Sequence, residues 1–267
     1  MLYPPISTYR TFILTWAVAS ACAASAYSDE AATAARAQVH VAVASNFAGP
    51  LEQLAKAFAK TGGGAVKSSA GSTGKLYAQI KNGGPFEVFL SADAAHVDRL
   101  IKDGLTDDTT RFTYAIGRLA LYAPGIAPVS EATLRDPAIK HLAIANPETA
   151  PYGAAAREVL NKLQLKDAFS GRTVFGENIA QTLQFVESGG AEAGFVAYAQ
   201  VNKRETKTYW LVPENLHTPI LQDACLLREG EKNRTAHAFM DFLKTNEARK
   251  IIVSFGYAIV SPNEAKR

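Results

Sequence analysis

Four short loops hold the residues whose types and spacing could do chemistry: Ser45-Asn46, Ser72-Thr73-Gly74, Pro151-Tyr152-Gly153 and Asn178-Ile179-Ala180. Each stands just ahead of a stretch with helical spacing. A helix N-terminus presents backbone N–H groups without intrahelical acceptors and a partial positive charge, so several aimed at one point make an anion site without Lys or Arg. Taken singly, each Ser, Thr or Asn is more simply the cap of its own helix. Four such loops at one edge of an open parallel sheet, where ligands bind in such folds, favour a shared site.

Other chemistries fit the chain poorly. Gly71-Ser72-Thr73-Gly74-Lys75 lacks the spacing of a nucleotide P-loop, which needs Gly and a hydroxyl where Ser69 and Leu76 stand. Ser72 also lacks the Gly-x-Ser-x-Gly frame of a hydrolase nucleophile, because position 70 is Ala70. His40, His96, His141, His217 and His237 are scattered, with no CxxC or HExxH spacing, so no metal ligands are assigned. Phe112, Tyr114, Tyr122, Phe195 and Tyr198 are assigned to the core. No catalysis is expected.

The elements that must position these loops alternate along the chain. Val39–Ala44 reads as a strand, and Leu51, Leu54, Ala55 and Phe58 as a helical face closed by Gly62–Gly64. Strand Ala65–Ser69, helix Lys75–Asn82, strand Phe86–Leu90 and a helix from Ser91 towards Lys102 follow. Tyr114–Tyr122 reads as one longer strand, then come strand Leu142–Ala145, helix Ala154–Leu163, strand Val174–Gly176, helix Ala180–Glu187 and strand Ala193–Tyr198. Strand Ala224–Leu227 and helices Arg234–Lys244 and Glu247–Phe255 end the chain. The expected class is α/β with mostly parallel strands.

With 267 residues, 48% of them hydrophobic, the chain can bury a large core, and its net charge of +3 carries no basic block. Nucleic acid is therefore not an expected partner. Residues 1–37 differ from the rest: Arg10, an apolar run Phe12–Ala24, then small residues, the pattern of a secretory signal peptide. Cleavage is expected near Ala26 or Ala37, with a membrane anchor, or a lipoprotein box ending at Cys22, as the alternatives. Removing this region takes away Arg10, Arg36, Asp29 and Glu30, so the net charge stays +3, and leaves Cys225 without an internal disulfide partner.

Val-Ala-Val-Ala-Ser-Asn-Phe at 41–47, Ser-Ala-Gly-Ser-Thr-Gly-Lys-Leu-Tyr-Ala-Gln-Ile at 69–80 and Gly-Gly-Pro-Phe-Glu-Val-Phe-Leu-Ser-Ala-Asp at 83–93 resemble the periplasmic molybdate-binding proteins of molybdate ABC transporters. Arg-Phe-Thr-Tyr-Ala-Ile-Gly at 111–117, Ala-Asn-Pro-Glu-Thr-Ala-Pro-Tyr-Gly at 145–153 and Gly-Phe-Val-Ala-Tyr-Ala-Gln at 194–200 extend the resemblance. It implies a two-lobed type II periplasmic binding protein fold with two hinge crossings, near Gly117–Leu121 and Ile220–Cys225. Lobe one would be residues 38–118 plus 222–267, and lobe two residues 119–221.

The resemblance also implies a ligand set. Ser45 and Asn46 would bind from the first loop, Thr73 before its neighbour Ser72 from the second, and the backbone N–H groups of Tyr152 and Ile179 from lobe two. The sequence departs from the family at Ala197, where some members carry a ligand-binding Tyr. Tyr198 is expected to face away by strand alternation, and the Tyr152 phenol is the candidate substitute. The implied function is capture of molybdate, and also tungstate, in the periplasm for a membrane permease, by a monomer with no cofactor. A protonated phosphate would bring a hydrogen without an acceptor into a donor-only site, at about 1–3 kcal/mol. A sulfate or other oxyanion carrier, an anion-sensing module and an enzyme on the same fold are the alternatives.

Overall fold

A computed structural model describes residues 38–259; the signal-peptide, cleavage and Cys22 readings lie outside the described residues. The first sheet contains β1 (Gln38–Ala44), β2 (Ala65–Gly71), β3 (Val88–Leu90), β4 (Phe112–Gly117) and β10 (Ile220–Leu226), in the order β2-β1-β3-β10-β4. The second contains β5 (Leu119–Tyr122), β6 (Leu142–Ala145), β7 (Thr173–Gly176), β8 (Ala193–Ala197) and β9 (Tyr209–Leu211), in the order β7-β6-β8-β5-β9. Each sheet is mixed. The pairs β1/β2, β1/β3, β6/β7 and β6/β8 are parallel, whereas β10 and β5 run antiparallel to both of their neighbours. Antiparallel pairing thus takes half of each sheet, more than the expected mostly parallel arrangement, because β10 and β5 belong to the connections between sheets.

Helices cover both faces of each sheet. In lobe one, α1 (Ala48–Lys60), α7 (Arg234–Leu243) and α8 (Asn246–Ser254) bury Leu51, Leu54, Phe58, Phe239 and Ile252 on Val39, Val41 and Val43. Leu76 and Ile80 of α2 (Thr73–Lys81), with Val97 and Leu100 of α3 (Ala95–Lys102), cover the opposite face at Ala42 and Phe89. A central strand covered on both sides is apolar where both covers reach it, which is why Val41–Ala44 shows no polar alternation, while His40 near the start of the strand is only half-buried. In lobe two, α4 (Pro151–Lys162) packs Ala155, Ala156 and Val159 into one core, and α5 (Ile179–Glu187) with α6 (Tyr198–Val201) puts Val186 and Val201 into another.

Two sequence expectations change. The run 114–122 is not one strand: β4 ends at Gly117 in the first sheet and β5 starts at Leu119 in the second. The space beside Gly117 explains the break. A Cβ there would lie 2.3 Å from the Tyr152 hydroxyl and 2.6 Å from Gln222 Nε2, so the backbone passes where no side chain fits. The run 193–198 also ends one residue early, with Tyr198 opening α6 and its N–H donating to the Arg118 carbonyl at 2.8 Å. β9 has no counterpart in the sequence reading.

Candidate binding cleft between the lobes

Ser45, Asn46, Ser72, Thr73, Tyr152 and Ile179 meet at one small cavity between the sheets, together with Gly71, Ala92 and Pro151. No charged residue lines it. Its volume of about 10 Å³ is far below the roughly 300–1,000 Å³ of pockets for drug-sized ligands. A small ion suits it; an organic metabolite does not.

Helix starts supply its walls. Thr73 is the first residue of α2, Ile179 the first of α5, and Tyr152 the second of α4, behind Pro151. N–H groups at these positions have no acceptor within their own helices. Gly153 brings α4 close enough to the sheet for this: a Cβ there would sit 2.1 Å from the Ala145 carbonyl oxygen.

The polar side chains of the cleft differ in what they have left to offer. Ser72 occupies the cap position of α2 but makes no capping bond, and its Oγ is buried without a partner. Buried hydroxyls are nearly always paired, so this one points to a missing acceptor. The Thr73 hydroxyl accepts the Ala92 N–H at 3.1 Å, which leaves its own O–H free to donate. Asn178 is a cap after all, its Oδ1 accepting from Ala180 and Gln181 N–H at 3.0 and 3.1 Å.

Asn46 and the Tyr152 phenol are engaged elsewhere. Asn46 Nδ2 donates to Gln222 Oε1 at 2.9 Å and to the Tyr257 hydroxyl at 3.0 Å, so no donor of its side chain is left for a ligand. Gln222 Nε2 donates to the Tyr152 hydroxyl at 3.1 Å, beside Gly117. The phenol thus turns towards the crossing strands, where it accepts from Gln222. Burial holds the phenols of Tyr114 and Tyr152 well above their ordinary pKa, and that of Tyr257 above it. Ala197 itself is fully buried, its N–H donating to Gln200 Oε1 at 2.9 Å, while the Tyr198 ring lies tilted against Tyr209 with the Arg118 guanidinium over its face. Sequence reasoning missed Gln222 and Tyr257; the available signal was the polar pair Gln222-Asp223 in an otherwise apolar strand.

Two contacts join the lobes beside the cleft. Gly74 N–H donates to the Thr149 carbonyl at 2.9 Å, and Lys75 Nζ stands 2.9 Å from Glu177 Oε1. A larger groove, about 660 Å³, lies on lobe two between Arg157, Phe169 and Phe175. Its Arg157 is paired with Glu148, and neither of the two unpartnered buried hydroxyls among the described residues, those of Ser72 and Thr149, lines it. Among those residues, no cluster of three or more His, Cys, Asp or Glu could hold a metal ion.

Comparison with known proteins agrees with this architecture. Residues 39–258 match the family model described as bacterial extracellular solute-binding protein. The chain is 47% identical over 234 residues to the molybdate-binding protein ModA of Azotobacter vinelandii, covering 86% of this chain and 93% of that one. It is 42% identical to ModA of Rhodobacter capsulatus, covering 84% and 89%. The solved periplasmic molybdate-binding protein of Azotobacter vinelandii superimposes with a TM-score of 0.80 at 39% identity, covering 84% of this chain and all of that one. With its two-sheet architecture and a family match along nearly the whole described chain, the protein belongs to the bacterial extracellular solute-binding proteins.

Proposed function

We propose that the protein captures molybdate between its two lobes and delivers it to the permease of an ABC transporter. It is a binding protein, not an enzyme. The observation that carries the reading is the Ser72 hydroxyl: buried, unpartnered, and facing a small uncharged cavity among three helix starts. Such a wall of donors suits a fully ionised tetrahedral oxyanion. Identity with two molybdate-binding proteins over most of the chain favours molybdate among such ions.

In this reading Ser45 and Ser72 donate through their hydroxyls. Asn46, Tyr152 and Ile179 offer backbone N–H groups, and Thr73 gives its backbone N–H and its remaining O–H. Tungstate has the same shape and charge and should bind as well. We assign 38–118 plus 222–267 to one lobe and 119–221 to the other, and the working form to a periplasmic monomer.

Thermal denaturation with added oxyanions tests the proposal, since a ligand that binds only the folded state stabilises it by mass action. Molybdate and tungstate should raise the midpoint at concentrations where phosphate does nothing. A rise with phosphate or sulfate and none with molybdate would replace the proposal with another oxyanion carrier.

A further inference from the structure

Next to the cleft, but outside it, Gln222 forms the centre of a buried hydrogen-bond network. Its side chain is fully buried on β10, the strand by which the chain returns to lobe one. Its Oε1 accepts from Asn46 Nδ2 at 2.9 Å and from the Tyr114 hydroxyl at 3.0 Å, and its Nε2 donates to the Tyr152 hydroxyl at 3.1 Å. Asn46 and Tyr152 belong to two of the four loops that wall the cleft, one from each lobe. The Tyr257 hydroxyl closes the network, accepting from Asn46 Nδ2 at 3.0 Å and donating to the Asn46 carbonyl at 2.8 Å.

The surroundings hold Gln222 in place. The next residue, Asp223, is buried and anchored by Arg111 Nε at 2.6 Å and by the Thr113 hydroxyl at 2.7 Å, at a shift in the β10/β4 register. Gly117 leaves open the space that the amide and the phenol occupy. All the anchors of Gln222 except Tyr152 come from lobe one, so the Gln222–Tyr152 bond forms only when lobe two is seated.

We propose that Gln222 is a positioning residue for anion capture, which ties the Asn46 loop of lobe one to the Tyr152 loop of lobe two and so favours the closed cleft. The proposal rests on the reading of the cleft as an oxyanion site. Gln222 touches no anion. It acts on the share of molecules whose two sets of backbone donors already converge, and apparent affinity scales with that share. An amide that only filled the core would change stability and leave affinity alone.

Tyr152→Phe and Gln222→Met, singly and together, separate these roles, because Phe keeps the Tyr152 ring and backbone N–H while removing the bonded hydroxyl. Molybdate affinity, its dissociation rate, the unliganded thermal midpoint and the unliganded radius of gyration are measured. Each single variant should weaken binding about tenfold, mainly through faster dissociation, with a larger unliganded radius; the double variant should lose clearly less than the product of the two losses, because both break the same bond. Wild-type affinity with only a lowered midpoint in Tyr152→Phe, or losses that multiply in the double variant, would overturn the proposal. If Gln222→Met does not fold, Tyr152→Phe decides alone. If the wild-type protein ignores molybdate, the functional reading fails, and an unliganded radius unchanged by Tyr152→Phe would then refute the coupling of the lobes while an increase would support it.

Discussion

Lys75 Nζ stands 2.9 Å from Glu177 Oε1, joining the first turn of α2 in lobe one to the residue that follows β7 in lobe two. Both side chains are largely exposed, and exposed pairs contribute about 0–1 kcal/mol. Lys75→Ala should therefore speed molybdate release by no more than about fivefold. The difference from wild type should vanish at high salt, where exposed charges are screened. A difference that persists in stopped-flow release at 1 M salt, on the order of a 3 Å screening length, would mean that Lys75 contacts the anion itself.

Ser72→Ala and Thr73→Ala should separate binding from folding. The Ser72 hydroxyl has no partner, so its removal leaves unliganded stability unchanged or slightly raised. Molybdate affinity should fall by roughly ten- to a hundredfold, the value of a hydrogen bond to a charged group. Thr73→Ala strands the Ala92 N–H and should lower stability by about 1–3 kcal/mol. Urea denaturation of unliganded protein checks both; a stability loss confined to Ser72→Ala would refute the assignment.

Gly117→Ala should damage the crossing between the lobes. The added methyl meets the Tyr152 hydroxyl and Gln222 Nε2 inside van der Waals distance. Overpacking of this kind costs about 1–3 kcal/mol, and relief by opening would also enlarge the unliganded particle. Denaturation and solution scattering read the two effects; a variant with wild-type stability and radius would contradict the packing described around Gly117.

Stability should fall in alkali. Burial pushes the Cys225 thiol up to about 12 and holds the phenols of Tyr114, Tyr152 and Tyr257 above their ordinary value. The unfolded chain releases these protons near pH values of about 8.5 for Cys and about 10 for Tyr, whereas the folded protein keeps them. The unfolded state then binds fewer protons, so this contribution is intact below about pH 8.5 and is lost as pH rises from there through about 12. The urea midpoint should be flat with respect to these groups in neutral buffer and drop through that alkaline range. A midpoint that rises there would contradict the burial of all four.

The order of strands and helices is legible in the sequence because each lobe alternates short apolar runs with helices punctuated by Gly, Ser or Asn. The meeting of the six loop residues is legible too, once the loops fall at one edge of the sheets. What lies beyond the sequence depends on distant contacts. The break at Gly117 follows from Tyr152 and Gln222 claiming its side-chain space, although 114–122 is locally one run of strand formers. That the Thr73 hydroxyl already accepts a hydrogen bond while the Ser72 hydroxyl has none depends on the Ala92 N–H, which comes from another loop. Asn46 looks like a ligand donor until Gln222 and Tyr257 are seen to take its amide.

The central claim, an intact oxyanion held between the lobes by uncharged donors including Ser72, is tested most directly by titration calorimetry of wild type and Ser72→Ala side by side. Wild type should bind one molybdate per chain, hold it against excess phosphate, and lose roughly ten- to a hundredfold in affinity on Ser72→Ala. Absence of heat with molybdate, or equal molybdate affinity in the two proteins, would contradict it.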